Sequence, residues 1–568
     1  MANYSVREFK GNDLLEHLLV SRGIIDPILR QEFLSPDYDT GVHDPFLLPD
    51  MDRVVERIRK AIASGERIAI FSDFDADGLP GATVFYDFFK KISYSNIEVY
   101  IPHRHREGFG LNIGAIEKLK KGGAGLLITI DCGITDVEKV AYANSLGLDV
   151  IITDHHLPGD VLPPAFAIIN PKRADSLYPE KMLCGSGVIF KVVQALLQDD
   201  RKRTEVEQMF KVKEGWEKWL LDMVGLATLS DMVPLRGENR VFAHYGLKVL
   251  RKSPRLGIMK LLRSLKVEQS NLVEDDIGFL ITPRINAASR MADPIDAFKM
   301  LIADTDEDAD VAVAHLNRLN DERKGTVAAM IKEIKKKVEE RSLQERSVLA
   351  LGNPDWKPSL LGLAATSLVR DYGRPVFLWG RSEDGVLKGS CRSDGEANIV
   401  TLMRAIPEKY FIDKGGHTMA GGFSLTDEHI HTFADALCEG YNAARRSSDV
   451  TKPSIAVDAR LTPDQISWDT WRVIEQMAPF GEGNPKPLFM IEKVPLTGIK
   501  SFGKTGGHLE LSFTGARGKK MAAIEFFSDR AKLLETLKIG DSVTLVVTLE
   551  KSMFRSFPEL RVRIVDII

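Results

Sequence analysis

Ile68-Ala69-Ile70-Phe71-Ser72-Asp73-Phe74-Asp75-Ala76-Asp77-Gly78 is the stretch whose reading decides the fold. A short apolar run stops at three aspartates and a glycine, and an amphipathic stretch follows. That is how a strand of a parallel sheet ends before its crossover helix. Working outward, the pattern recurs at Leu126 to Ile130 before Asp131-Cys132-Gly133, at Val150-Ile151-Ile152 before Asp154-His155-His156, and at Met223 to Leu229 before Asp231. Read as four strands of a βαβ series, these runs predict an α/β fold with a parallel sheet. Such sheets bind ligands outside the carboxyl ends of their strands, so the acidic residues are expected to converge on one crevice. Several Asp and His side chains converging without thiolates make a site for hard cations, here two Mg²⁺ or Mn²⁺ ions. Two such ions about 3.5–4 Å apart form a clamp for in-line displacement at phosphorus. The residues alone therefore point to a metal-dependent phosphoesterase.

Two competing motif readings fail on context. Asp73-Phe-Asp-Ala-Asp-Gly78 also opens like an EF-hand loop, but position 12 is Val84 rather than a bidentate Glu, and a strand-like run precedes it. Gly498 to Thr505 satisfies the Walker A pattern, yet Gly506-Gly507-His508 and an alternating run follow where a helix is required, so Lys504 is expected in a β-hairpin. Cys132, Cys184, Cys391 and Cys438 have neither zinc-site spacing nor the density of a disulfide scaffold, which suits a reducing interior. No signal-peptide pattern opens the sequence and no apolar run approaches a membrane span, so a cytoplasmic protein without membrane attachment is expected.

With 568 residues the chain has room for several domains. A helical arm is expected over 1–44 and the α/β region over 45–303. A charged helical stretch follows over 304–345, with Val311, Leu316, Leu319, Val327, Met330, Ile331, Ile334 and Val338 near helical spacing. A second α/β region spans 346–447, and Arg445 to Pro453 reads as a linker. Alternating runs such as His508 to Phe513, Ser542 to Val547 and Leu560 to Val565 predict an antiparallel OB-type barrel over 452–568. The formal charge of −4 gives no global attraction to nucleic acid, but residues 452–568 carry 17 Lys+Arg against 14 Asp+Glu, a net of +3. Phe502, Phe513, Phe554 and Phe557 interleave with these charges, as in grooves that track single strands, although most such rings in a small barrel fill its core.

The order and wording of the motifs resemble the DHH phosphoesterase superfamily, and within it the branch of single-strand-specific 5′→3′ exonucleases. The resemblance runs from Arg22-Gly23-Ile24 and Asp44 to Leu48 through Glu107-Gly108-Phe109-Gly110-Leu111 and Leu183 to Gly187. It continues with Ser230 to Leu235, Gly237-Glu238-Asn239-Arg240, Arg284 to Met291 and Gly415 to Phe423, beyond which only the domain layout matches. It implies a DHH catalytic domain and a DHH-associated domain facing each other across a cleft, joined by a long helix and completed by the OB-type module.

Carried over residue by residue, the resemblance makes Asp73, Asp75, Asp131, His155 and Asp231 metal ligands, with Asp131 bridging two ions. Some relatives place an upstream His on the first ion; Ala69 and Phe71 cannot serve, leaving Asp77 or a water in that place. Asp154 is expected as a ligand or as the group that holds a His ring, and His156 as a contact to the scissile phosphate. Arg104 and Arg290 fall at family positions near the cleft, and Ser390 and Arg392 at positions associated with a 5′-terminal phosphate. Gly416 and His417 belong to a glycine-rich segment that brings backbone donors to the strand. Two departures stand out. Ser289 replaces a usual Gly, and Lys357 stands where relatives tend to have His, keeping a cation for phosphate without a neutral imidazole.

The implied activity is metal-dependent release of 5′-mononucleotides from single-stranded DNA, in repair and recombination, by a monomer that works with a single-strand-binding protein and a helicase. Two other readings stay open. An oligoribonuclease or pyrophosphatase of the superfamily would not need the OB-type region or the arm. A silent DNA-binding replication factor would have lost metal ligands, and none is lost here.

Overall fold

The computed structural model of the protein describes residues 4–9, 13–204, 208–446, 454–503, 507–515, 518–526, 537–552 and 558–568. The chain forms two compact units, one from His43–Val233 and Tyr245–Thr451, the other from Met1–Val42, Pro234–His244 and Lys452–Ile568.

The first unit is built on a parallel sheet in the spatial order Ile97–Tyr100, Arg67–Ser72, Ala124–Ile130, Asp149–Thr153, Ala167–Ile169. Ile68, Ala69, Ile70 and Phe71 are all fully buried, which is why the run is continuously apolar rather than alternating. Ser72 pairs with Ile130 and Ile130 with Thr153, so residues 73, 131 and 154 leave three adjacent strands at one level. The order of the strands reverses between Arg67–Ser72 and Ala124–Ile130, and that is where the crevice of an open α/β sheet opens.

The fourth apolar run is not a strand. Met223 to Leu229 lies in the helix Leu221–Ser230, which packs against the helices Gly78–Lys91 and Gly185–Lys202. Met223 through Thr228 are buried all round, and periodicity cannot separate such a helix from a buried strand. Beyond Ile169 the region up to Ile302 is helical. The charged stretch forms one helix, Asp306–Glu340, burying Val313, Leu316, Leu319, Met330, Ile334 and Val338. Val311, expected on that face, is instead 67% exposed. The associated region carries a mixed sheet in the order Phe411–Gly416, Ala420–Leu425, Leu387–Arg392, Val376–Arg381, Leu349–Gly352, whose outermost pair Leu349–Gly352 and Val376–Arg381 is parallel.

The second unit holds the expected barrel. Phe489–Phe502, His508–Thr514, Lys520–Phe526, Glu559–Ile567 and Ser542–Ser552 pair in that order, and the last closes on the first. The arm is not freestanding. It begins with the strand Tyr4–Val6, parallel to Ile455–Val457, and Leu18, Leu19, Ile24 and Phe33 share one core with Phe489, Leu511 and Phe513. Arg240, quoted above for its motif, closes this unit: its Nε donates to the Phe33 carbonyl at 2.6 Å, its Nη2 to Met477 O at 3.0 Å, and its guanidinium lies 3.6 Å over the Phe33 ring. Phe502 and His508 are paired across the Gly498 hairpin, as expected, while Lys504 lies outside the described residues. So do Phe554, Phe557 and Ser447 to Pro453, most of the expected linker.

Candidate metal centre

Each acidic side chain is placed by the loop that ends its element. After Ser72 the chain turns tightly: Ser72 Oγ donates to Gly78 O at 2.7 Å, and Asp75 Oδ1 accepts from the amides of Asp77 and Gly78 at 2.8 and 3.1 Å. A Cβ on Gly78 would lie 2.5 Å from Asp73 O, so only glycine closes this turn. Asp77 enters the helix Gly78–Lys91, and its two oxygens accept from Gly185 N at 2.6 Å and Ser186 N at 2.7 Å at the start of the helix Gly185–Lys202. Asp131 is held in the left-handed region, φ 63°, and Asp231 caps the end of the helix Leu221–Ser230.

Three overlapping sets result, each with its ligand atoms within 4.8 Å of one another: Asp73, Asp75 and Asp131; Asp77, His155 and Asp231; Asp131, His155 and His156. Asp131 and His155 each belong to two of them. His155 Nε2 lies 3.2 Å from Asp131 Oδ1, and 3.8 Å from both Asp77 Oδ2 and Asp231 Oδ2. Asp73 Oδ1 and Asp131 Oδ1 are buried without a hydrogen-bond donor. Buried carboxylate oxygens facing one another with no donor are what a divalent cation would satisfy, and the all-oxygen and imidazole donor set suits Mg²⁺ or Mn²⁺.

Asp154 stands outside all three sets. Its Oδ1 accepts from the amides of His155 and His156 at 2.7 and 3.0 Å and from His156 Nδ1 at 2.8 Å, and its Oδ2 accepts from Ile134 N at 3.0 Å. With those donors it holds the amides of His155 and His156 and the ring of His156 rather than facing a cation, the second of the two roles expected for it.

The electrostatics follow from crowding. Burial, reinforced by Asp75, raises Asp73 well above the usual carboxylate range, and burial with the charges of Asp77 and Asp75 does the same to Asp131. Asp231 is pushed up to about 9 by burial and by Asp77, against the pull of Lys172. Asp77 rises to about 6 by burial and Asp75, opposed by the amides it accepts from. His155 drops to about 3 by burial and by His156. Burial pulls His156 down as well, but the hydrogen bond and charge of Asp154 outweigh it and leave His156 raised.

Basic groups flank the acidic ones. The Arg104 guanidinium lies 4.9 Å over the Phe74 ring and is lowered by burial, with Asp73 and Asp75 opposing. Arg290 is pushed down to about 9 by burial and by Arg104 and Arg323, and its Nη1 donates to Ser359 O at 2.7 Å. Arg392 Nη1 donates to Ser390 Oγ at 3.1 Å, and a Cβ on Gly362 would lie 2.7 Å from Arg392 Nη2. Lys357 is exposed at the start of the helix Pro358–Tyr372. Gly416 and His417 lie on an exposed hairpin turn, closed by His417 N donating to Ala420 O at 2.8 Å.

Three residues were not anticipated. Asn286 Oδ1 accepts from Ala76 N at 2.9 Å and ties the Asp73 loop to the helix Thr282–Met291. Lys172 opposes the charges of Asp231, Asp154 and Asp131; it follows the strand Ala167–Ile169, so the strand-end rule reaches it. The Phe109 ring stands edge-on to His156 at 5.6 Å. In the second unit a groove of about 860 Å³ is lined by Trp468, Lys500, Phe502, His508, Phe526 and Arg561, while Phe513 is core.

A parallel sheet with this carboxylate and imidazole centre at its switch point, followed by the associated mixed sheet, defines a phosphoesterase of the DHH class. Residues 67–228 match the DHH family, N-terminal domain, residues 345–442 the DHHA1 domain, and residues 457–566 the RecJ OB domain. The chain is 31% identical over 555 residues to the single-stranded-DNA-specific exonuclease RecJ of Bacillus subtilis, covering 97% of this chain and 67% of that protein. It is 32% identical over 456 residues to RecJ of Escherichia coli, covering 78% of each. A manganese complex of RecJ from Thermus thermophilus superimposes with a TM-score of 0.79 at 24% identity, over all of this chain and 79% of that one. The chain belongs to the RecJ family.

Proposed function

We propose that this protein is a single-strand-specific 5′→3′ exodeoxyribonuclease that releases 5′-mononucleotides with the help of two Mn²⁺ or Mg²⁺ ions, in DNA repair and recombination. The observation that carries this reading is the convergence of Asp73, Asp75, Asp77, Asp131, His155, His156 and Asp231 in overlapping sets. Asp131, which like His155 belongs to two of the sets, would help to hold both ions. When bound, the ions supply Lewis-acid stabilisation and a water acidic enough to attack phosphorus at neutral pH.

The chain's own residues do the rest. Asp154 fixes His156, whose other ring nitrogen is left for a non-bridging oxygen of the scissile phosphate. Arg104 and Arg290 offset the charge that accumulates on that phosphate as its bond to the 3′ oxygen breaks. Ser390 and Arg392, already hydrogen-bonded to each other, take the 5′-terminal phosphate. Lys357, Gly416 and His417 grip the strand without chemistry.

In this reading 45–303 is the catalytic domain, 304–345 the connection, 346–447 the substrate-binding domain and 452–568 a further DNA-binding module. The aromatic and basic groove suits that last role, since His508 stands 5.1 Å from Phe502 and 5.4 Å from Phe526. No helix among the described residues is long and apolar enough to cross a membrane. We place the protein in the cytoplasm as a monomer, alongside a single-strand-binding protein and a helicase. The test is hydrolysis of strands labelled at either end, single or duplex, with Mn²⁺ or Mg²⁺. Labelled mononucleotide should appear at once from the 5′ label on single strands only. Release from the 3′ label first, or equal attack on duplex, would contradict the assignment.

A further inference from the structure

The helix Thr282–Met291 is bonded to the metal centre along its first half and to the associated region at its end. Thr282 Oγ1 lies 2.6 Å from the hydroxyl of Ser230, the residue before Asp231. One turn on, Asn286 Oδ1 accepts from Ala76 N at 2.9 Å, between Asp75 and Asp77 in the tight loop. After one more turn, Arg290 and Ser359 exchange two hydrogen bonds: Arg290 Nη1 donates to Ser359 O at 2.7 Å, and Ser359 Oγ donates to Arg290 O at 2.9 Å. Residues spaced in this way lie on one stripe of a helix, so a single rigid face carries all three contacts. Met291 then packs against the core that holds Trp356, Leu360 and Leu361.

Ser359 is buried at the start of the helix Pro358–Tyr372. On that helix Gly362 abuts the pair assigned to the 5′ phosphate: a Cβ there would lie 2.7 Å from Arg392 Nη2 and 3.0 Å from Ser390 Oγ. An unbroken series of contacts therefore runs from Ser390 and Arg392 through Gly362, Ser359, Arg290 and Asn286 to the loop of Asp75 and Asp77. Close-packed contacts pass small displacements on rather than absorb them. The receiving end is sensitive to them, since Mg²⁺ takes its oxygen ligands only near about 2.0–2.1 Å. The helix also has room to move, because the π turn Ile277–Ile281 precedes it, and such turns hold more residues than α winding needs and recur at functional sites.

We propose that Asn286 is a positioning residue through which occupancy of the 5′-end pocket sets the loop of Asp73, Asp75 and Asp77, so that a 5′ phosphate raises the rate of cleavage and not only the affinity for the strand. This rests on the nuclease reading above and adds a check within it: an end without the phosphate is held but cut slowly.

The test follows release of the 5′-terminal residue from single strands that begin with a 5′ phosphate or a 5′ hydroxyl. Single-turnover reactions with Mn²⁺ give a rate at saturating protein and a half-saturating concentration for each. In the unsubstituted protein the phosphate should raise the saturating rate by roughly 5-fold or more, the range of coupling between linked sites. Ser359→Ala removes one bond to Arg290 and no group of the pocket or the loop. It should bring the two rates within about twofold of each other, below that range, with the rate on the hydroxyl end unchanged. Asn286→Ala should collapse the ratio in the same way, and Asn286→Asp, which keeps an acceptor for Ala76 N, should restore it. The advantage of the phosphate in half-saturation should persist in every variant. A rate ratio left unchanged in both Ser359→Ala and Asn286→Ala would reduce the helix to a scaffold and overturn the proposal, as would a phosphate that alters half-saturation alone in the unsubstituted protein. No cleavage of either strand by the unsubstituted protein would strike the nuclease reading, and the proposal with it.

Discussion

Asp131 combines a left-handed backbone, a fully buried carboxylate and an oxygen without a donor. Each is costly alone, and the three are reconciled by a cation at the shared position. The same crowding sets a pH dependence. In the metal-free protein Asp77 titrates near 6 and Asp231 near 9, so at neutral pH Asp231 holds a proton that ion binding must displace. Folded-state values above the usual carboxylate range mean that affinity for Mn²⁺ rises as pH climbs from about 6 to about 9, by up to about tenfold per pH unit for each proton released. Calorimetric titration in buffers of different ionisation heat should show that release at pH 7, and a binding enthalpy independent of buffer would contradict it. At this scale the sequence was informative for Asp73, Asp75, Asp131 and His155, because strand ends advertise themselves. For Asp154 the sequence left two roles open, ligand or holder of a His ring, because the choice depends on which donors fill its oxygens.

The helices Gly78–Lys91 and Leu221–Ser230 carry Asp77 and Asp231 at the centre and Asp87 and Asp222 away from it. Arg255 joins those outer carboxylates: its Nη2 donates to Asp87 at 2.6 Å and its Nε to Asp222 at 2.8 Å. Asp222 also accepts from Ser253 Oγ at 2.8 Å. Arg255→Ala would leave a buried carboxylate unpaired and should cost about 3–5 kcal/mol, read from the urea unfolding midpoint; a loss below about 1 kcal/mol would show the clamp to be dispensable. Sequence reading mistook Leu221–Ser230 for a strand because the helix is apolar on every side, yet still found Asp231, since the end of an apolar run marks a surface in either structure. The strands of the barrel were legible because alternation survives wherever one face is wet, as in His508–Thr514.

At the scale of the molecule, the second unit is assembled from three separated segments. That was hidden from the sequence: residues 1–44 read only as a helical arm, and nothing local says that Leu18, Leu19, Ile24 and Phe33 belong against Phe489 and Phe513. Any shortening that removes 452–568 therefore also strips the cover from the arm, so loss of DNA binding on truncation does not isolate the groove.

The central claim is a centre in which Asp131 serves two ions, and it is tested most directly by the rate at which Asp131→Ala hydrolyses a 5′-labelled single strand at saturating Mn²⁺. Losing a shared ligand removes several kcal/mol of transition-state stabilisation, a fall of about 10³-fold or more. Affinity for the strand in metal-free buffer should persist, because the arginines and the barrel groove are untouched. Near-normal turnover by Asp131→Ala would contradict the two-ion assignment.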